Sequence, residues 1–178
     1  MGKHDLGNKD IHKDAAALAV LLNGKVGAGG GGGNFPLFIP AIADDLAVVF
    51  YPMTGIRMAN GASTTVGGGM FRIPAGWSGT LTVSAIIEAG TSTSGNIYTR
   101  IRYHRAAVGD LIISTSPSYA AQAIAADSNG KYLSVNSQVI GSAVASDLVN
   151  LAFVRNGGNA ADTYEADIYC YGFLIDWG

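Results

Sequence analysis

The run GTLTVSAIIEA (79–89) follows MFRIP (70–74) across the turn signal Pro74-Ala75-Gly76. Its apolar residues come in short or alternating groups, the period of a strand with one face on a core and not that of a helix. The same rhythm recurs outward from it, in LAVVFY (46–51), GIRMA (55–59), NIYTRIRYHR (96–105) and DLIIS (110–114), then in KYLSVNSQVI (131–140), DLVNLAFVR (147–155) and TYEADIYCYGFLIDW (163–177). Asn60-Gly61, Gly67-Gly68-Gly69, Asn129-Gly130 and Asn156-Gly157-Gly158 lie between the runs, and each supplies residues that tolerate positive φ in a turn. Eight or nine strands at this spacing predict a two-sheet antiparallel sandwich or a closed barrel. One stretch breaks the rhythm: PSYAAQAIAAD (117–127) is alanine-rich and reads as a short helix or a long loop.

A chain of 178 residues suits one domain with a proper core plus appendages. Charged residues make up only 13%, against about 25% in an average soluble domain, so little charge is available to keep the surface solitary. A net charge of -2 gives no broad basic footprint for nucleic acid. The single cysteine, Cys170, excludes an internal disulfide and falls in an apolar run, where a thiol is an inert small hydrophobe. The most apolar stretch, AAALAVLL (15–22), is far shorter than the roughly 20 residues of a membrane helix. Asp5, Asp10 and Asp14 spoil a positively charged leader and no A-x-A-like site follows, so no secretion signal is expected.

Residues 1–40 differ from the remainder and predict an anchoring arm, with the sandwich domain at 41–178. Asp10 is suited to an N-cap and Asn23-Gly24 to a stop, giving a short helix over 11–22 with Ile11, Ala15, Leu18 and Leu22 on one face. Alone in water so short a helix is marginal, so that face is assigned to docking on a capsid or neighbouring subunit. The glycine tract at 27–33 contains a literal G-x-G-x-x-G in Gly27, Gly29 and Gly32. A dinucleotide site needs a strand before that motif and a helix after it, whereas the proline-broken FPLFIP (35–40) follows here, an extended arm. Val26 after Gly24-Lys25 excludes a P-loop. The tract reads as a joint, and no cofactor is expected.

In the last run, strict alternation puts Tyr169, Tyr171, Phe173, Ile175 and Trp177 on one face and Ile168, Cys170, Gly172 and Leu174 on the other. Both faces are apolar, whereas an outer antiparallel strand normally keeps one polar face. Tyr169, Tyr171, Phe173 and Trp177 are therefore expected at a subunit interface, or else under the chain's own loops.

Taken together, MFRIPAGWSGTLTVSAIIEA, NIYTRIRY and LVNLAFVRNGGNAADTYEADIYCYGFLIDW resemble small jelly-roll structural proteins of tailed bacteriophages. The resemblance rests on Ile73, Pro74, Gly76, Trp77 and Gly79, and on Arg155, Asp162, Thr163, Tyr164 and Trp177, and covers about residues 46–178. It implies an all-β antiparallel jelly-roll β-sandwich in a homotrimer, made in the host cytoplasm and carried on the virion surface as a capsid decoration or head-fibre protein held by its N-terminal arm. The alternative it leaves open is a tail-fibre or tail-tip module that recognises host surface glycans. Read on their own, Pro74, Gly76 and Trp77 make a tight corner with an aromatic plug, and Asp162 and Thr163 can bond a loop backbone ahead of Tyr164.

Chemistry-bearing residues are sparse, and no enzyme is expected. No G-x-S-x-G elbow occurs, and His4, His12 and His104 are too scattered for a metal site in one chain. Glu165 and Asp167 share a face if that segment is a strand, a pattern more often a solvated edge than a glycosidase pair. Tyr98, Arg100, Arg102 and His104 line one face of their strand. The plainer reading is an outer face paired with Glu88 or Asp110, or a subunit contact; the functional one is a cationic, aromatic patch that grips an acidic glycan or phosphate.

Overall fold

The computed structural model describes residues 37–42, 48–51 and 53–178. The expected helix over 11–22, with Ile11, Ala15, Leu18 and Leu22, and the glycine tract lie outside the described residues. The described chain runs β1 (Leu37–Ile42), β2 (Val48–Tyr51), β3 (Met53–Met58), β4 (Ser63–Arg72), β5 (Leu81–Ala89), β6 (Gly95–Ala106) and β7 (Ile113–Thr115). It continues through β8 (Ala120–Ile124), a single 3-10 turn at Ala126–Ser128, β9 (Tyr132–Val139), β10 (Leu148–Asn156) and β11 (Ile168–Trp177).

The strands form two antiparallel sheets. In the first the order is β3–β11–β5–β9, with β2 outside β3. In the second it is β4–β10–β6–β8, with β7 on the same edge of β6 as β8. From β3 to β6 and again from β8 to β11, each successive strand changes sheet, which is the jelly-roll connectivity and selects the sandwich over the closed barrel. β1 joins the two sheets, pairing β11 through Leu37–Pro40 and β4 through Ala41–Ile42. The stretch expected as the end of the arm is thus hydrogen-bonded into the sandwich as far back as Leu37.

Alternation explains the core. On β5, Leu81, Val83, Ala85, Ile87 and Ala89 are buried, while Thr82, Ser84, Ile86 and Glu88 face outward. They meet Ile97, Ile101, Val149, Leu151, Phe153, Ile168, Phe173 and Ile175 in one apolar layer between the sheets. Each large side chain buried there contributes roughly 1.5–3 kcal/mol relative to exposure. Trp177 closes one end, edge-on to Phe71 and to Trp77, with ring centroids 5.9 and 6.1 Å away. Gly76, at φ +81, makes the corner that carries Trp77, whose N–H donates to the Pro74 carbonyl at 3.2 Å.

Three expectations are corrected. Gly67-Gly68-Gly69 is not a turn but the middle of β4, because a Cβ on Gly68 would stand 2.7 Å from the Phe173 ring: the glycine makes room for the core. PSYAAQAIAAD is neither helix nor long loop. Its alanines pair with Gly95–Thr99 of β6, and tertiary pairing overrides their helix propensity. On β11 the strict alternation fails at a bulge, where Cys170 faces Ile87 and Gly172 faces Ile86, leaving Tyr171 as the extra residue. Beyond it the faces exchange, so Phe173, Ile175 and Trp177 lie in the core of their own chain. Phe173 and Trp177 are therefore not available to a second subunit.

Arg155 is fully buried in β10 and all five of its N–H donors are used. Its Nε and Nη2 form a forked pair with Asp162 at 2.9 and 2.8 Å. The remaining donors reach the carbonyls of Met58 at 3.2 Å, Ala166 at 2.8 Å and Tyr164 at 2.8 Å. Arg155→Met is expected to lose about 3–5 kcal/mol in chemical denaturation, since Asp162 is left buried without its counter-charge. A loss below about 1 kcal/mol would contradict this assignment. The buried Cys170 thiol is raised by desolvation from its ordinary value to about 12. Maleimide or iodoacetamide at mildly alkaline pH should label it only after denaturation, and labelling of the native protein at the rate of the unfolded chain would refute its burial.

Candidate functional site

The segment that Arg155 holds also sets the start of β6. Asp162 accepts from the Tyr98 backbone N–H at 3.0 Å, and the Thr163 hydroxyl from that of Asn96 at 3.0 Å. Tyr164, buried, takes the Thr91 N–H on its hydroxyl at 3.1 Å and donates to the Thr91 carbonyl at 3.0 Å. The expected bonding role of Asp162 and Thr163 is thus observed, and the backbone they fix carries the candidate face.

From that start β6 alternates as expected. Ile97, Thr99, Ile101 and Tyr103 point into the sandwich, and Tyr98, Arg100, Arg102 and His104 stand half-buried on the outside. Tyr119, from the loop between β7 and β8, joins them: its ring stacks on Tyr98 with centroids 5.1 Å apart at 23°. The Arg100 guanidinium carbon sits 4.2 Å from the Tyr119 centroid, a cation–π contact. Beside Arg102, the cross-strand neighbours are Ala152 and, one strand further, Gly67, so short side chains leave a low floor next to its guanidinium. His104 is flanked by Asn150 and Ser114.

The charge balance of this face decides its reading. The plainer expectation paired these cations with Glu88 or Asp110. Glu88 lies instead on β5, in the other sheet, and accepts a hydrogen bond from the Tyr171 hydroxyl. Among the described residues the ion pairs are Arg57–Asp167, Arg105–Asp147, Lys131–Asp127 and Arg155–Asp162, and none involves Arg100, Arg102, Glu88 or Asp110. The Nε atoms of Arg100 and Arg102 are buried without an acceptor. Two guanidinium groups, a histidine and a stacked tyrosine pair therefore share one outer face with no carboxylate paired to either guanidinium among the described residues.

The other expected residues fall elsewhere. Tyr169 and Tyr171 are on the outer side of the first sheet, where Tyr171 packs edge-on to Tyr132 at 5.0 Å and its ring lies against Gly55. Burial, then the hydrogen bond to and charge of Glu88, push the Tyr171 hydroxyl well above the ordinary tyrosine range. Glu165 and Asp167 precede β11, not within it. Both Asp167 oxygens are engaged, by Arg57 Nε at 2.6 Å and the Asn60 N–H at 2.9 Å, an arrangement that ties the β3–β4 turn to the start of β11. Tyr119 was the residue sequence reasoning missed, because it belongs to a connection and no periodicity marks which side chain of a loop folds back over a sheet.

No protein-family model matches this chain, and no curated protein matches it. The solved structures to which this chain is similar include two carbohydrate-binding modules. TmCBM61 in complex with β-1,4-galactotriose aligns with a TM-score of 0.31 and 10% identity over 68% of this chain and 69% of its own. The family 11 carbohydrate-binding module from Clostridium thermocellum, in complex with a β-1,3-1,4-mixed-linked tetrasaccharide, aligns with a TM-score of 0.31 and 11% identity over 82% of this chain and 84% of its own. At that distance any ligand must be argued from the residues of this chain.

Burial raises the Asp167 carboxyl, but the Asn60 N–H and the Arg57 hydrogen bond and charge outweigh it and hold the group below the ordinary carboxylate range. A depressed native value stabilises the fold above the unfolded carboxyl's titration and is lost as pH falls through the native value. The stability gap between wild type and Asp167→Asn should thus be widest at neutral pH and close in strong acid. A gap independent of pH would refute the pairing.

Proposed function

We propose that this chain is a non-enzymatic jelly-roll module that binds an acidic glycan on the outer face of β6, and that it does so on a tailed-phage particle as a host-recognition component. The observation that carries the reading is the Tyr98–Tyr119 stack with Arg100 against it and Arg102 beside it, two cations free of any carboxylate among the described residues. Tyrosine rings offer apolar surface to the C–H face of a pyranose, while guanidinium groups take a sugar carboxylate or sulfate in a forked hydrogen-bonded pair. His104 and Asn150 add polar contacts along the same direction.

Support for the particle comes from the resemblance over residues 46–178, which brings with it the homotrimer and attachment through residues 1–40. The low charge of the chain favours association in the same sense. Host recognition is preferred to shell decoration because the unpaired cations and stacked rings form a ligand face, and a decoration role gives them no task.

A glycan array probed with the full chain should select uronic-acid, sialylated or sulfated glycans over their neutral counterparts, with binding that weakens as salt rises. Losing one charged hydrogen-bonded contact costs about 1.5–3 kcal/mol, so Arg102→Ala is expected to weaken binding roughly ten- to a hundredfold. Tyr119→Ala should weaken it by a smaller factor. Selection of neutral glycans alone, or full affinity in both variants, would defeat the proposal.

A further inference from the structure

The β6–β7 hairpin ends in a feature that glycan binding does not use. Between Ala106 and Ile113 the chain turns through Ala107–Asp110, closed by the Asp110 N–H on the Ala107 carbonyl at 3.1 Å. The tip exposes Val108 at 77%, Leu111 at 92% and Ile112 at 72%, and Ile113 behind them at 48%. The sequence places DLIIS among the strand-like runs, but only Ile113 and Ser114 of it pair, and Leu111 and Ile112 stand in solvent. Large apolar side chains scattered singly on a surface need no explanation, whereas several gathered on one projecting turn mark a contact site.

What the tip touches is indicated by its neighbours. The strand that runs into it is β6, whose outer face carries His104, then Arg102, then Arg100 at increasing distance. Arg102 lies four residues before Ala106, roughly 13 Å along an extended strand. An apolar prong beside a cationic track matches a ligand with an apolar base and an anionic stem. It does not match a free polysaccharide, which has no apolar base. Asp110, the acid within the turn, fits a shallow seat at the level of the head groups better than a deep one.

Resting on the glycan reading above, we infer that the ligand is an acidic glycolipid held at a membrane surface: Val108, Leu111 and Ile112 enter the lipid interface while the anionic head group climbs β6 across His104 and Arg102 toward the Tyr98–Tyr119 stack. The hairpin orients the module, with β6 running toward the membrane. Seating the tip holds the head-group sugars at the arginines, so a membrane-borne glycan binds more tightly than the same glycan free in solution.

The test uses the full chain against phosphatidylcholine vesicles that carry lipopolysaccharide, against the same vesicles without it, and against the oligosaccharide released from that lipopolysaccharide by mild acid. Binding to the lipopolysaccharide vesicles should be at least tenfold tighter than to the released oligosaccharide, with none to plain vesicles. Leu111→Ser combined with Ile112→Ser removes only exposed side chains, so its thermal unfolding should match wild type. It should erase the vesicle advantage while leaving oligosaccharide affinity unchanged. A vesicle advantage that survives in that variant, equal affinity for both forms in the wild type, or equal binding to plain vesicles would overturn the inference and leave glycan binding standing. Failure to bind either the oligosaccharide or the lipopolysaccharide vesicles would instead strike the glycan reading itself, and this inference with it.

Discussion

The Arg155–Asp162 pair is the constraint on which the rest of the described structure depends. A guanidinium buried without partners would cost several kcal/mol, and here every donor is answered. Those answers come from separate parts of the chain: the end of β3 through Met58, the approach to β11 through Tyr164 and Ala166, and Asp162 in the preceding loop. Asp162 in turn holds the Tyr98 N–H. One side chain of β10 thereby joins the two sheets at one end of the sandwich by directional bonds, where apolar packing alone would permit sliding. The specificity of the fold at that end and the placement of the candidate face have the same origin.

Charge is used economically in this protein and its placement is informative. Arg57, Arg105, Lys131 and Arg155 each meet a carboxylate, and Arg155 does so in the interior. Arg100 and Arg102 do not among the described residues, although only 13% of the chain is charged. A surface built for solubility intersperses both signs. The proposed ligand face keeps these cations unpaired among the described residues, beside stacked rings and the short side chains at Gly67 and Ala152. The opposite sheet carries different chemistry, with Tyr132 and Tyr171 packed together and Glu88 holding the Tyr171 hydroxyl.

Much of the fold was legible because it obeys local rules. The alternation in GTLTVSAIIEA and NIYTRIRYHR gave both strands and their inward faces, since a period of two admits no other half-buried arrangement. The Pro74–Trp77 corner and the Asp162–Thr163 loop bonds followed from turn chemistry. Failures occurred wherever a distant residue decided. Gly68 looks like a turn until Phe173 is placed over it, PSYAAQAIAAD looks helical until β6 offers it hydrogen bonds, and Phe173 and Trp177 look like interface residues until the bulge at Tyr171 turns them inward.

By itself, then, the sequence determined the all-β class, the main strands and the four residues on the outer face of β6, because each of these follows from periodicity and turn preference within a few neighbouring positions. Tertiary structure alone decided that the connectivity is a jelly roll, that Tyr119 completes the aromatic stack, that Arg100 and Arg102 meet no carboxylate among the described residues, and that Leu111 and Ile112 stand in solvent. The physical reason is that pairing partners, ion partners and exposure depend on which remote segments the sheets bring together, and no local period encodes that distance.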